Sequence, residues 1–238
     1  GKLTMTNNGA GGLNVTGNVD TATLEMTNSA TGTAGTNISG TVKANSALIT
    51  NRAGGLNVTA NADPTKNNIE TTALEMHNYG SGGLNINGKI VNYDTIVDIH
   101  NHATGTAGLN IGGTISNGEG YAVNITNEGA NGLNVTGTIS SAAQELKITN
   151  SGESGMNFES GSTVSSKGTS RYQNTKGAMN AKEGSALSST GAASYTNSGN
   201  GGMLFNGTVN NHAGTNAENT AGGMTIGGEF TNNGVGTF

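Results

Sequence analysis

Four side chains on two consecutive stretches of this chain have the chemistry to hold a transition-metal ion: Glu75, His77, Asp98 and His100. In each pair the carboxylate and the imidazole are two residues apart in an alternating apolar–polar segment, so both project from one face of a strand. If the two strands stack in register, like groups lie about 5 Å apart. Imidazole with carboxylate suits Zn²⁺ or Ni²⁺, and His102 is nearby. The alternative is an exposed polar column with diagonal Glu–His⁺ pairs.

These residues belong to a repeat of about 23 residues that runs along the whole chain. In ten places a short alternating segment ends on asparagine, and a second such segment follows five to eight residues later. A fixed period in this range indicates stacked structural units rather than one globular core. The ten are Asn7, Asn28, Asn51, Asn78, Asn101, Asn127, Asn150, Asn174, Asn197 and Asn219.

Each repeat contains two or three short strands. The first segment, such as Leu74-Glu75-Met76, alternates on β-favouring residues, and so does the second, such as Leu84-Asn85-Ile86. A glycine two residues later, such as Gly88, is expected to allow a sharp bend or a positive φ into a third strand. We therefore predict an all-β fold: a right-handed parallel β-helix (β-solenoid) of about ten coils, a single domain over residues 1–238, with its longest excursion at residues 63–68.

The repeated asparagine is an even number of residues from the inward-facing Leu and Met of its strand, so we expect it to point inward as well, at a corner. A column of stacked amides there can hydrogen-bond from coil to coil and to the turn backbone. A second inward column shows a large–small–large sequence, as constant packing density requires. Its members are Val15, Ile38, Val58, Ile86, Ile111, Val135, Phe158, Ala181, Phe205 and Ile226, and Tyr172 and Tyr195 take the inward first-strand position.

The outward positions of the second segment form a flat, polar, uncharged array. Such a face can bind glycan, pack sideways on another filament or order water, and the alternative is a merely solvated sheet face. The array comprises Asn14, Thr16, Asn37, Ser39, Asn57, Thr59, Asn85, Asn110, Asn134 and Thr136.

Composition excludes several classes of protein. With 41 Gly, one Pro, no Trp and 11% charged residues, a conventional compact domain is disfavoured. No run approaches 18 apolar residues, so we predict no membrane span. The net charge of −5 gives no basis for nucleic-acid binding, and the one basic cluster is read as a solvated face: Lys167, Arg171, Lys176 and Lys182. No nucleophile–His–acid set is found, so we predict neither an enzyme nor a cofactor.

The strings L-x-[MI]-T-N and G-L-N-[VI]-x-G-x-[VI], the Gly/Asn/Thr bias and the absence of Cys resemble filamentous-haemagglutinin-like exoproteins of two-partner secretion and, more loosely, autotransporter adhesins. The resemblance covers Leu3 to Phe230. It implies a virulence-associated shaft, secreted or held at the bacterial outer membrane, with partners among the glycans or proteins of host or neighbouring cells, or lateral self-association. Alternatives are the stalk of a contact-dependent toxin-delivery exoprotein and a polysaccharide-binding or polysaccharide-degrading β-helix. Because Gly1 and Phe238 fall in mid-pattern, we expect an internal fragment.

Overall fold

The computed structural model describes residues 1–103 and 107–238, and within these ranges it consists of β-strands joined by turns, without a helix. The helical span that would be needed to cross a membrane is therefore lacking in both ranges. In chain order the strands are β1 (Lys2–Asn7), β2 (Leu13–Val15), β3 (Asn18–Asn28), β4 (Thr36–Ile38), β5 (Thr41–Asn51), β6 (Leu56–Val58), β7 (Ile69–Asn78), β8 (Leu84–Ile86), β9 (Lys89–Asn92), β10 (Ile96–Asn101), β11 (Leu109–Ile111), β12 (Thr114–Asn117), β13 (Ala122–Asn127), β14 (Leu133–Val135), β15 (Thr138–Ser141), β16 (Glu145–Asn150), β17 (Met156–Phe158), β18 (Thr163–Ser166), β19 (Thr169–Asn174), β20 (Met179–Ala181), β21 (Ala186–Ser189), β22 (Ala193–Asn197), β23 (Met203–Phe205), β24 (Thr208–Asn211), β25 (Gly214–Asn219), β26 (Met224–Ile226), β27 (Phe230–Asn232) and β28 (Val235–Thr237).

Every strand pairs in parallel with its equivalent one coil away. Ten three-residue strands form one sheet, in the order β2-β4-β6-β8-β11-β14-β17-β20-β23-β26. The other 18 strands form a second sheet. Early in the chain β3 and β5 are single strands of 11 residues, where later coils use two shorter ones such as β12 and β13. The predicted parallel β-solenoid of about ten coils is thereby confirmed.

The inward column of the ten-stranded sheet has the predicted register. Val15 pairs with Ile38, and the pairing continues coil by coil to Phe205 and Ile226. All these side chains are buried except Ile226, which is 44% exposed. Because stacking supplies each coil with a neighbour on both sides, a thin interior excludes water along nearly the whole stack.

Aromatic rings fill the interior around the small Ala181. Tyr172 and Tyr195 stack in parallel with ring centroids 4.9 Å apart. Phe158 meets Tyr172 edge-on at 5.6 Å, and Phe205 meets Tyr195 edge-on at 5.1 Å. Ala181 pairs with Phe158 on one side and Phe205 on the other, so the large–small–large column is completed by the two tyrosines of the facing strands.

Glycines lie at two corners of most coils. Gly113, after β11, lies at the expected bend, but its φ is not positive. A Cβ there would lie 2.1 Å from the carbonyl oxygen of Gly88, so glycine is needed because adjacent coils approach closely. Positive φ is more frequent before the ten-stranded sheet, as at Gly132 with a φ of 78°. It also occurs after that sheet in two coils, at Gly161 (φ 83°) and Gly184 (φ 81°), whereas the glycines predicted at this corner, such as Gly113, show only the bend.

The ten residues between β6 and β7, residues 59–68, form the loop that the sequence predicted near residues 63–68. Asp63 Oδ1 accepts hydrogen bonds from the Thr65 amide at 3.0 Å and the Thr65 hydroxyl at 2.7 Å. The buried Asn68 side chain donates to the Thr59 carbonyl at 2.8 Å and accepts from the Lys89 amide at 3.0 Å. These bonds return the chain to the stack without breaking it.

Candidate functional site

An inner Asn ladder runs along one corner of the solenoid. Each Nδ2 donates to the Oδ1 of the equivalent asparagine one coil later, over 2.7–2.8 Å at all nine steps. From Asn28 to Asn197 these side chains are at most 1% exposed. The remaining amide hydrogen serves the turn, as where Asn127 Nδ2 donates to the Gly129 carbonyl at 2.9 Å. The ladder therefore binds coil to coil and is inaccessible to a ligand.

An outer Asn ladder lies on the outward face of the ten-stranded sheet. Nδ2-to-Oδ1 bonds of 2.9–3.2 Å link the outward asparagines that the sequence placed in the polar array. The ladder extends beyond the prediction to Asn157 and Asn180, and Leu204 takes the next outward position. Its members are Asn14, Asn37, Asn57, Asn85, Asn110, Asn134, Asn157 and Asn180.

The hydroxyl residues of the predicted array lie beside this ladder, just after the short strands. Thr16, Thr59 and Thr136 are exposed and Ser39 is half-buried. The outward amides are half-buried or exposed. An amide that donates one hydrogen to its ladder neighbour has its second hydrogen and part of its oxygen's capacity left for outside partners. Asn157 is an exception, because its Nδ2 also donates to the Ser154 carbonyl at 3.4 Å.

Three imidazoles meet beside the inner Asn ladder, and we call His77, His100 and His102 the His cluster. His77 on β7 and His100 on β10 are directly opposed in register. His102 follows β10, and its Nε2 lies 3.3 Å from Nδ1 of His77. The rings of His100 and His102 stack with centroids 3.4 Å apart. One ring nitrogen from each of the three lies within 4.8 Å of the others.

Carboxylates border the His cluster. Glu128, from the next coil, has Oε1 3.2 Å from Nε2 of His100 and Oε2 3.4 Å from Nδ1 of His102. Glu75 Oε2 lies 3.9 Å from Nε2 of His77. Asp98 pairs in register with Glu75, yet within residues 1–103 and 107–238 it forms no ion pair with these imidazoles. Of the four predicted residues, two are in the cluster, one borders it and Asp98 stands apart.

The whole cluster could have been predicted from the sequence, because each of its residues directly precedes or follows an asparagine of the inner Asn ladder. Because the asparagine points inward, the residues before and after it both point outward at the same corner. His77 and His100 precede ladder asparagines, whereas His102 and Glu128 follow them. The sequence prediction followed the carboxylates within the strand and so missed Glu128 in the turn.

Stacked rings hold His102 in place. Tyr79, which also follows a ladder asparagine, stacks on His102 with centroids 4.4 Å apart and an angle of 1°. The Arg52 guanidinium carbon lies 5.1 Å from the centroid of the Tyr79 ring. A column of Arg52, Tyr79 and His102 therefore leads to the carboxylate of Glu128.

The surroundings of His102 favour its neutral form. Partial burial lowers the pKa of His102, the neighbouring His100 lowers it further, and Glu128 partly opposes this. Nε2 of His100 is buried and makes no hydrogen bond within the described residues, because its approach to Glu128 lies outside hydrogen-bond geometry. Neutral imidazole with a free lone pair is the form that coordinates metal ions.

The fold places this chain among the parallel β-solenoid proteins. No protein-family model, curated protein or solved structure matches it.

Proposed function

We propose that this chain is a shaft segment of a secreted or cell-surface bacterial exoprotein, and that it contributes attachment through its polar outer faces. The observation that carries this proposal is the inner Asn ladder, which continues through all nine steps between coils. Ten coils at the usual strand spacing of about 4.8 Å make a rod of roughly 45–50 Å. A stack with no break in its coil-to-coil bonds is suited to spanning a distance and to bearing force along its axis.

The charged residues support a non-catalytic role. Three of the four residues in the basic cluster each face a glutamate of the preceding coil: Arg171 with Glu145 at 3.5 Å, Lys176 with Glu153 at 3.9 Å and Lys182 with Glu159 at 2.7 Å. Glycoside hydrolysis needs two carboxylates facing each other across a bound sugar. Glutamates engaged singly with basic residues along the surface are arranged instead to link neighbouring coils and to reduce the positive charge that nucleic acid would require.

The outer Asn ladder is the surface that we propose for attachment. Its amides offer donors and acceptors together, at a spacing set by the coils, which suits the hydroxyl groups of glycans or the matching face of a second filament. The face is uncharged along its asparagines. Binding there is expected to be insensitive to salt, since screening acts on charged contacts.

A glycan array with a parallel assay for released sugars tests this proposal. The expected result is retention on a subset of glycans without product release, with retention lost when Asn57, Asn85 and Asn110 are all changed to Asp. The matched control changes Lys43, Asn45 and Ser46, which are exposed on β5, to Asp. Release of oligosaccharide would contradict the non-enzymatic proposal, and equal retention by both triple variants would remove the outer Asn ladder as the binding surface.

A further inference from the structure

We propose that His77, His100 and His102, together with Glu128, bind one divalent late first-row transition-metal ion such as Zn²⁺ or Ni²⁺. The inference is independent of the proposed shaft function, because it concerns the local geometry of one corner. The site spans three consecutive coils: β7 supplies His77, β10 and the residue directly after it supply His100 and His102, and the turn after β13 supplies Glu128.

The distance between one ring nitrogen of His77 and one of His102 matches the edge of a tetrahedral zinc site. Nδ1 of His77 and Nε2 of His102 are 3.3 Å apart. In a tetrahedral zinc site with Zn–N bonds of about 2.05 Å, the edge between two nitrogen ligands is roughly 3.3 Å. One nitrogen from each of the three rings lies within 4.8 Å of the others, so completing the polyhedron requires ring movements of up to about 1.5 Å.

The outer nitrogens of the same two rings face carboxylates. Nδ1 of His102 lies 3.4 Å from Glu128, and Nε2 of His77 lies 3.9 Å from Glu75. A carboxylate on the far nitrogen fixes the tautomer of a metal-binding histidine and raises its basicity. When Nδ1 of His77 and Nε2 of His102 both coordinate the ion, each neutral ring carries its proton on the other nitrogen, which is Nε2 of His77 beside Glu75 and Nδ1 of His102 beside Glu128.

His100 supplies the third nitrogen and Glu128 the charge. The buried Nε2 of His100 has no hydrogen bond among the described residues, although Glu128 Oε1 lies only 3.2 Å away. A metal ion gives this orphaned nitrogen a partner, and the carboxylate offsets part of the ionic charge. Three imidazole nitrogens favour Zn²⁺, Ni²⁺ or Cu²⁺, whereas Ca²⁺ and Mg²⁺ require a set of oxygen ligands.

The site is open to ions from solvent. The three imidazoles keep 21–22% of their side-chain surface exposed. The stack of Tyr79 on His102 limits the rotation of that ring, so a ligand is held near its bound orientation before the ion arrives.

Calorimetric titration of the tag-free, metal-stripped chain with ZnCl₂ and with NiCl₂ tests the proposal. The expected result is one ion per chain with a micromolar or tighter Kd, no heat from CaCl₂, and a melting temperature that rises with metal concentration because only the folded state holds the three nitrogens together. X-ray absorption of the Zn²⁺ form should show three imidazole ligands.

The fourth histidine provides a matched control. His212 lies away from the cluster, with Nδ1 3.2 Å from the Ser189 carbonyl oxygen. His102→Gln and His77→Gln are each expected to weaken binding at least 100-fold and Glu128→Gln about tenfold, while His212→Gln leaves it unchanged. His77→Gln keeps the test valid if His102→Gln fails to fold, as judged by metal-free melting. Absence of saturable binding in the wild type, or binding retained in His77→Gln, would overturn the proposal and leave a hydrogen-bonded imidazole cluster.

Discussion

Asn101 donates from Nδ2 to Oδ1 of Asn127, 2.8 Å away in the next coil, and both side chains are completely buried. The same bond recurs on both sides, so each asparagine is at once donor and acceptor. Aligned amides polarise one another and strengthen the chain of bonds. This relationship links the repeat in the sequence to the continuity of the rod.

Replacing Asn101 by Leu is expected to destabilise the protein by at least about 1–3 kcal/mol, because Asn78 loses its acceptor and Asn127 loses its donor in a dry interior. The matched control is Asn110→Leu in the exposed outer Asn ladder, where water replaces the lost partners. The comparison is the midpoint of urea denaturation. Equal midpoints for the two variants would contradict the buried role of Asn101.

Two stacked tyrosines give opposite expectations on conversion to Phe. The buried Tyr172 hydroxyl has no hydrogen bond within the described ranges, whereas the Tyr195 hydroxyl donates to Oδ1 of Asn211 at 3.3 Å. Tyr172→Phe is therefore expected to leave stability unchanged or raise it, and Tyr195→Phe to lower it by about 1 kcal/mol. Thermal unfolding of both variants tests these expectations. A larger loss of stability for Tyr172→Phe than for Tyr195→Phe would be inconsistent with the packing described.

The same tyrosines set the alkaline limit of stability. Burial raises the pKa of both hydroxyls. In the unfolded chain tyrosine ionises near pH 10. Above that pH the unfolded state loses protons that the folded state keeps, so stability is full below about pH 10 and falls as the pH rises. A Tyr172→Phe/Tyr195→Phe double variant should show a shallower fall between pH 9 and 11 in thermal melts, and identical slopes would refute the assignment.

Gly113→Ala is expected to destabilise the protein, because adjacent coils approach each other closely at this residue. The added Cβ would meet the Gly88 carbonyl oxygen at 2.1 Å, and the backbone would have to shift, which costs about 1–3 kcal/mol. Gly17 occupies the equivalent corner in the first coil and has open space at its Cβ position, so Gly17→Ala is the control. Differential scanning calorimetry should separate the two, and equal melting temperatures would contradict the steric account.

Periodicity predicted the parts of the structure that repeat, because inward and outward positions follow from strict alternation along a strand. It placed Asn101 inside and Asn110 outside. It did not reveal that Asn110 bonds to its neighbours, because alternation assigns a face and not a partner. Glu128 lies in a turn, where side-chain direction depends on the local path of the chain. Positive φ also depends on the local path of the chain, so the sequence did not single out Gly132 as a residue that needs it.

The most direct test of a rigid stack is a distance measured along it. The chain has no Cys, so Thr16→Cys and Asn206→Cys place two spin labels without background. Both positions are exposed and directly follow register-matched residues, Val15 and Phe205, which are eight coil steps apart. At about 4.8 Å per step the label sites lie roughly 38 Å apart. Pulsed electron–electron double resonance should give one narrow distribution at this distance. A broad distribution, or one centred well below 30 Å, would contradict the shaft.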